Sequence, residues 1–221
     1  MLELGIDDAG RGPVIGPMIL AGCLITEDVG KQFKISGVKD SKQLTQKRRE
    51  FLEQIVKEKA DAFEVVVVST EEIDGNVNNG KLNELEAVAC AQIINKINKG
   101  FGRIKVILDC PSTNIGSWRD FLMTKIENLS NLEIVCEHKA DVNHVSVSAA
   151  SILAKSERER QMAILKEKYG AEIGSGYSSD PYTQKFVEKH ATKLKDSGVF
   201  RKSWDTWKNA VGKGEQKKLG F

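Results

Sequence analysis

The stretch that decides the fold runs from Glu3 to Ile25, ELGIDDAGRGPVIGPMILAGCLI. It opens with a short apolar segment, ELGID, which reads as a first strand. It closes with VIGPMILAGCLI (14–25), which is apolar on both faces and reads as a buried second strand with a local irregularity at Gly16–Pro17. Few residues separate the two. A parallel pair needs a crossover of roughly a dozen residues or more, so this link is too tight for one and the two strands run antiparallel. Between them lies GIDDAGRG (5–12), in which two adjacent acids, Asp7 and Asp8, are followed by a glycine, an arginine and a glycine. Adjacent carboxylates repel, and glycines leave the backbone bare. The pattern asks what ligand needs both at one place.

Outward from that stretch, LTQKRREFLEQIVKEKA (44–60) has helical periodicity, with Leu44, Phe51, Leu52, Ile55 and Val56 on one side. FEVVVVS (63–69) is short and β-branched, a third strand. LNELEAVACAQIINKIN (82–98) is a helix, RIKVILDC (103–110) a fourth strand ending on Asp109, and NLEIVCEHKA (131–140) a fifth strand followed by Asp141. VSAASILAKSERERQMAILKEKYG (147–170) reads as one long helix capped by Gly170. GSGYSSDP (174–181) is a loop, and a further helix over 181–194 begins with proline. The order of elements gives an α/β fold: a mixed five-stranded sheet flanked by helices, with a C-terminal helical part. We expect one catalytic domain over 1–211 and a flexible, glycine- and lysine-rich tail over 212–221.

Composition narrows the class. With 40% apolar residues the chain can bury a real core. Its 33 basic and 31 acidic residues nearly cancel, which neither announces nucleic-acid binding nor excludes a basic face. Cys23, Cys90, Cys110 and Cys136 are scattered without a CxxC pair, which argues against a zinc site and a disulfide framework. No basic segment precedes an apolar run at the N-terminus, and the longest apolar stretch falls short of the ~20 residues of a membrane helix. The expectation is a soluble, cytoplasmic protein with no membrane contact.

Asp7 and Asp8 end the first strand, Asp109 ends the fourth, and Asp141 lies in the short link before the long helix. Functional groups in α/β sheets collect at such strand ends. Acids that converge there form a like-charge cluster, which must protonate or find a cation. Oxygen ligands without His or Cys suit Mg²⁺ or Mn²⁺ rather than Zn²⁺. Two such ions about 4 Å apart can hold the attacking water and the leaving oxygen of a phosphodiester. Taken singly, each aspartate is also what a turn or cap uses. Neighbouring strand residues point to opposite faces, so Asp7 and Asp8 share a site only where the strand ends or twists.

GIDDAGRGPVIGPM, VKDSKQLTQKRRE, NELEA, LDCP, EHKAD, VSAASILAKSERER, GSGYSSDP and RKSW follow one another between Leu4 and Thr206. In that order they resemble the type 2 ribonucleases H, the archaeal branch above all. The resemblance implies a ribonuclease H-like fold. It implies endonucleolytic cleavage of RNA paired with DNA and of single ribonucleotides embedded in duplex DNA, leaving 3′-hydroxyl and 5′-phosphate ends. It places the metal-binding acids on Asp7, Asp8, Asp109 and Asp141, with two Mg²⁺ or Mn²⁺ ions during catalysis.

The same resemblance assigns substrate contacts. Gly10, Arg11 and Gly12 let the backbone approach a nucleotide and read the 2′-hydroxyl that only RNA carries. Tyr177 matches a tyrosine that recognises the junction between ribonucleotide and deoxyribonucleotide, and an exposed ring there can stack on a sugar or base. Lys42 and Lys155 match lysines near the substrate backbone. Ser148 and Ser151 touch phosphate or begin the helix, and Arg201 and Lys202 extend the basic surface.

The chain departs from the family pattern twice. Asp8 stands where glutamate is usual, one methylene shorter, and His144–Val145 replace an aromatic–proline pair. His144 reads as a loop residue without catalytic duty. At the C-terminus Gln216, Leu219 and Phe221 resemble a sliding-clamp-binding motif one residue short, the alternative being a frayed basic tail. The chain is expected to act as a monomer. Two rivals remain open: another acid-cluster nuclease of this fold, and a non-catalytic nucleic-acid-binding module, against which the complete set of acids weighs.

Overall fold

In the computed structural model β1 (Leu2–Ala9) and β2 (Met18–Thr26) pair antiparallel, from Leu2 opposite Thr26 to Ala9 opposite Ile19. The structure describes residues 1–38, 44–100 and 102–218, the last six of these by backbone alone. β4 (Ile104–Asp109) runs parallel to β1, and β5 (Leu132–Glu137) parallel to β4. β3 (Ala62–Val68) closes the other edge, giving the order β3-β2-β1-β4-β5. This is the mixed five-stranded sheet that the tight opening link demands. The second strand is shorter than its apolar run. Pro17 has no N–H for a ladder and Gly16 takes φ 82°, so β2 starts at Met18 and Ile15 is left in an isolated bridge with Phe200.

The chain divides into two compact units. The first comprises Met1–Ala9, Ile19–Val67 and Asn83–Glu157; the second comprises Gly10–Met18, Val68–Leu82 and the chain from Arg158 onward. The first unit holds the sheet, α1 (Glu27–Ser36), α2 (Gln46–Lys59), nearly all of α4 (Leu82–Ile97), α5 (Ile115–Met123), α6 (Ala140–Asn143) and the beginning of α7 (Val145–Tyr169). On one face Ile19, Ala21, Cys23 and Ile25 pack with Phe33, Leu52, Val56 and the α7 residues Ala149, Ala150, Ile152 and Leu153. Gly5 makes this possible. A Cβ there would run into the backbone of Ser146 and Val147, so α7 lies directly on β1. On the opposite face Gly22 leaves room for Ile93 of α4 beside Leu4.

The second unit holds α3 (Thr70–Val77), the end of α7, α8 (Pro181–His190) and α9 (Asp205–Lys218) around a core that includes Val14, Ile15, Met162, Phe186, Val187 and Phe200. Three helices here and in the first unit are invisible to periodicity. α1, α3 and α5 are short, but each starts on a side-chain cap, from Thr26, Ser69 and Asn114. α8 stops at His190 rather than Leu194. α9 runs on past Gly212 to Lys218. Each glycine costs a helix about 1 kcal/mol, and the packing of Trp207, Ala210 and Val211 into the core outweighs that. Among the described residues no helix is long and apolar enough to cross a membrane.

The contact at Gly5 gives a direct test. Gly5→Ala forces backbone apart and should destabilise the protein by about 3 kcal/mol. Gly75→Ala, in α3 with nothing within 4 Å of the new methyl, should instead stabilise it by about 0.5–1 kcal/mol. Denaturant titration of both variants measures the contrast.

Candidate active site

Asp7 and Asp8 lie at the C-terminal end of β1, and Asp109 is the last residue of the neighbouring parallel strand β4, where Ile6 pairs with Leu108. Parallel register therefore brings the acids of two strands to one edge of the sheet. Alternation sends Asp7 to the α7 side and Asp8 to the α4 side. Asp7 is buried, accepts from the Asp8 amide at 2.8 Å, and is hydrogen-bonded by Ser151 of α7. Burial, then the Asp8 charge and the Asp109 charge, push its carboxyl from 3.8 up to about 7, against the pull of its two hydrogen bonds.

Asp8 shows its position through Cys90 of α4. Burial and then the charges of Glu86, Asp8 and Asp7 drive that thiol well above its usual range. Glu86 is thus a further buried carboxylate, 2% exposed, that acts on the same thiol as Asp8 and Asp7, and sequence reasoning gave it no role. The signal was present: a glutamate on the apolar face of a helix, among Ala87, Ala89, Cys90 and Ile93.

Asp109 and Asp141 are joined through the backbone. Asp109 Oδ1 accepts from the amide of Ala140 at 3.3 Å, so it holds the first residue of α6. Asp141 is the second residue of that helix and is buried, rather than lying in a link. The turn into α6 needs Lys139 at φ 59°, the one non-glycine residue with positive φ among those described, and such a conformation costs roughly 1–2 kcal/mol. Ser148 Oγ donates to the Asp141 carbonyl at 2.6 Å, which makes it a brace for the start of α7. Ser148, Ser151 and Lys155 share one face of α7 at helical spacing. His144 lies between α6 and α7, and its Nε2 meets Glu137 Oε1 at 2.8 Å.

Among the described residues no three His, Cys, Asp or Glu side chains are drawn up closely enough to hold an ion. Asp7 Oδ1 is engaged by the Asp8 amide. The donor set nonetheless fits a hard divalent cation. All four assigned donors are carboxylates, and Asp7, raised to about 7 by burial and then by the charges of Asp8 and Asp109, is relieved by positive charge.

The glycine loop belongs to the second unit. Arg201 is fully buried and does not extend a basic surface. Its guanidinium donates to the carbonyls of Gly10 (2.6 Å), Arg11 (2.7 Å) and Gly16 (2.9 Å), and its own amide to Val14 O. Trp204 Nε1 takes the Gly12 carbonyl at 2.8 Å. Lys202 and Ser203 are anchored through their amides to the buried Asp74 of α3. The loop is therefore held by its carbonyls, and Gly12 keeps open space around it. Tyr177 is 45% exposed, so it is not a core anchor. The preceding Gly176 carbonyl accepts from Val14 and Ile15, which ties the tyrosine loop to the glycine loop. Lys42, Leu219 and Phe221 lie outside the described residues, as does the side chain of Gln216.

Comparison with known proteins gives a consistent answer. A family model described as Ribonuclease HII matches residues 4–207. The chain is 39% identical to Ribonuclease HII of Methanocaldococcus jannaschii, over 99% of both chains. Among solved structures it is similar to the ribonuclease H2 of Pyrococcus horikoshii OT3, with TM-score 0.86 and 34% identity over 96% of this chain and 98% of that one. It is also similar to a chain in the structure of the PCNA:RNase HII complex from Archaeoglobus fulgidus, with TM-score 0.80 and 35% identity over 93% and 96%.

The crowding at Asp7 predicts a pH signature in chelator-treated protein. Its folded pKa lies above its unfolded one, so the folded state binds a proton more tightly. Stability is complete below about 4 and falls as pH rises through about 7. Asp7→Asn removes that loss. The variant should melt above the native protein at pH 8, by a margin that narrows toward pH 5. A variant melting at or below the native protein at pH 8 contradicts the crowding.

Proposed function

We propose, because the chain belongs to the ribonuclease HII family of nucleases that hydrolyse RNA paired with DNA, that it also cuts duplex DNA at single embedded ribonucleotides and leaves 3′-hydroxyl and 5′-phosphate ends. The observation that carries this reading is the buried Asp7 carboxyl, raised to about 7 beside Asp8 and Asp109 at the ends of β1 and β4. Such a group is costly in a fold and useful at a site that binds cations.

Asp7, Asp8, Asp109 and Asp141 would hold two divalent ions, Mg²⁺ or Mn²⁺. When bound, these supply the charge that activates water and stabilises the leaving 3′-oxygen. The protein contributes position. Ser151 orients Asp7 and favours its charged form, the α6 amide orients Asp109, and Ser148 fixes the backbone carrying Asp141. Asp8, shorter than the usual glutamate, retains the carboxylate with less reach.

Recognition of RNA falls to the residues that follow the acids directly in sequence. The Gly10–Gly12 backbone approaches the 2′-hydroxyl, with Arg11 on a phosphate. The exposed Tyr177 ring stacks at the junction between ribonucleotide and deoxyribonucleotide. Lys155 and Lys42 contact the substrate backbone. Gln216, Leu219 and Phe221 form a clamp-binding tail, a reading supported by the Archaeoglobus complex of an RNase HII with PCNA.

Two experiments test these assignments. Labelled RNA/DNA hybrid incubated with Mg²⁺ or Mn²⁺ should be cut by the native protein, and Asp7→Asn should fall to the level of chelator controls with unchanged circular dichroism. An Asp7→Asn variant with full activity removes Asp7 from the metal set. Separately, deleting the last six residues should abolish retention on an immobilised sliding clamp and leave hybrid cleavage intact; unchanged retention ends the clamp assignment.

A further inference from the structure

Arg158 of α7 belongs to the second unit and is 7% exposed. Its Nη1 donates to Pro17 O at 3.1 Å and its Nη2 to Ser175 O at 3.4 Å. Its guanidinium carbon stands 5.5 Å from the centre of the Tyr177 ring. The side chain runs beneath Gly10, where a Cβ would come within 2.6 Å of its Cδ and 2.7 Å of its Nη1. Its Nη2 is also 3.3 Å from the place a Cβ would take on Gly176. Gly10, Gly16 and Gly176 all have positive φ, at 82°, 82° and 85°, so the backbone around this one guanidinium follows paths that favour glycine.

Burying a cation this deeply is expensive, and burial lowers the guanidinium's pKa while Tyr177 counters the effect. An arginine fork nevertheless stays charged and can bridge acceptors on two separate segments, which an apolar side chain of the same length does not do. Packing alone does not call for it. The two loops are already tethered by the amides of Val14 and Ile15 on Gly176 O. What Arg158 adds is a fixed attitude of the Tyr177 ring relative to the glycine loop.

We propose that Arg158 is a positioning residue that bridges Pro17 to Ser175 and seats the Tyr177 ring, so that Gly10–Gly12 and Tyr177 meet the ribonucleotide as one rigid reader. This rests on the reading of Gly10–Gly12 and Tyr177 as substrate contacts.

A double-mutant cycle of Arg158→Met and Tyr177→Ala, on duplex DNA with one ribonucleotide, tests it. Each single variant should lower kcat/KM about tenfold, and the double variant should be no worse than about tenfold rather than a hundredfold, because the arginine acts through the tyrosine. Arg158→Lys should behave like Arg158→Met, since an ammonium keeps the charge and loses the fork. An additive hundredfold loss, or full activity in Arg158→Lys, overturns the positioning role while leaving Tyr177 a substrate contact. A Tyr177→Ala variant with native kcat/KM instead overturns the reading beneath it. Should Arg158→Met fail to fold, Arg158→Gln takes its place in the cycle with the same outcomes.

Discussion

One buried carboxyl sets the terms for the rest of this chain. Asp7 is taken out of water beside Asp8 and Asp109, and its pKa rises to about 7 as a result. The first unit is arranged so that this crowding occurs in one defined place. Parallel pairing of β1 with β4 brings two strand ends together. Gly5 allows α7 to sit on β1 closely enough for Ser151 to reach Asp7. Asp109, for its part, holds the first amide of α6 and so fixes the helix that bears Asp141. Remove the contact of α7 with β1 and the acid cluster loses its floor.

The second unit solves a different problem by the same means. Its glycine loop has few side chains of its own to hold it in place. Here buried cations replace the missing side chains. Arg201 takes the carbonyls of Gly10, Arg11 and Gly16. Arg158 fills the space that Gly10 leaves and spans to the Tyr177 loop. The loop is held through its carbonyls, and the space around Gly12 stays open.

How much of this was legible in the sequence depended on the kind of signal. Strands written as β-branched runs, such as RIKVILDC and FEVVVVS, declare themselves, as do acids at their ends. The mixed sheet followed from a single short link. α1, α3 and α5 were not legible by periodicity, because their stability comes from a cap and a few contacts rather than a long apolar stripe. α9 carries little sequence signal, because it holds two glycines and the packing of Trp207 and Val211 against the core appears only in the folded chain. Arg201 was read as surface because charge defaults to solvent. Its burial depends on carbonyls that lie far away in sequence. Glu86 is legible as a glutamate on an apolar helix face, where the sequence pattern places it inward.

The most direct measurement is the cleavage of a labelled DNA duplex holding one ribonucleotide, run with Mg²⁺ or Mn²⁺ beside an identical all-DNA duplex. The account predicts a metal-dependent nick on the 5′ side of the ribonucleotide and an intact all-DNA control. Cutting of both duplexes alike, or of neither with any metal while longer hybrids are cut, would contradict the proposed recognition of a single ribonucleotide.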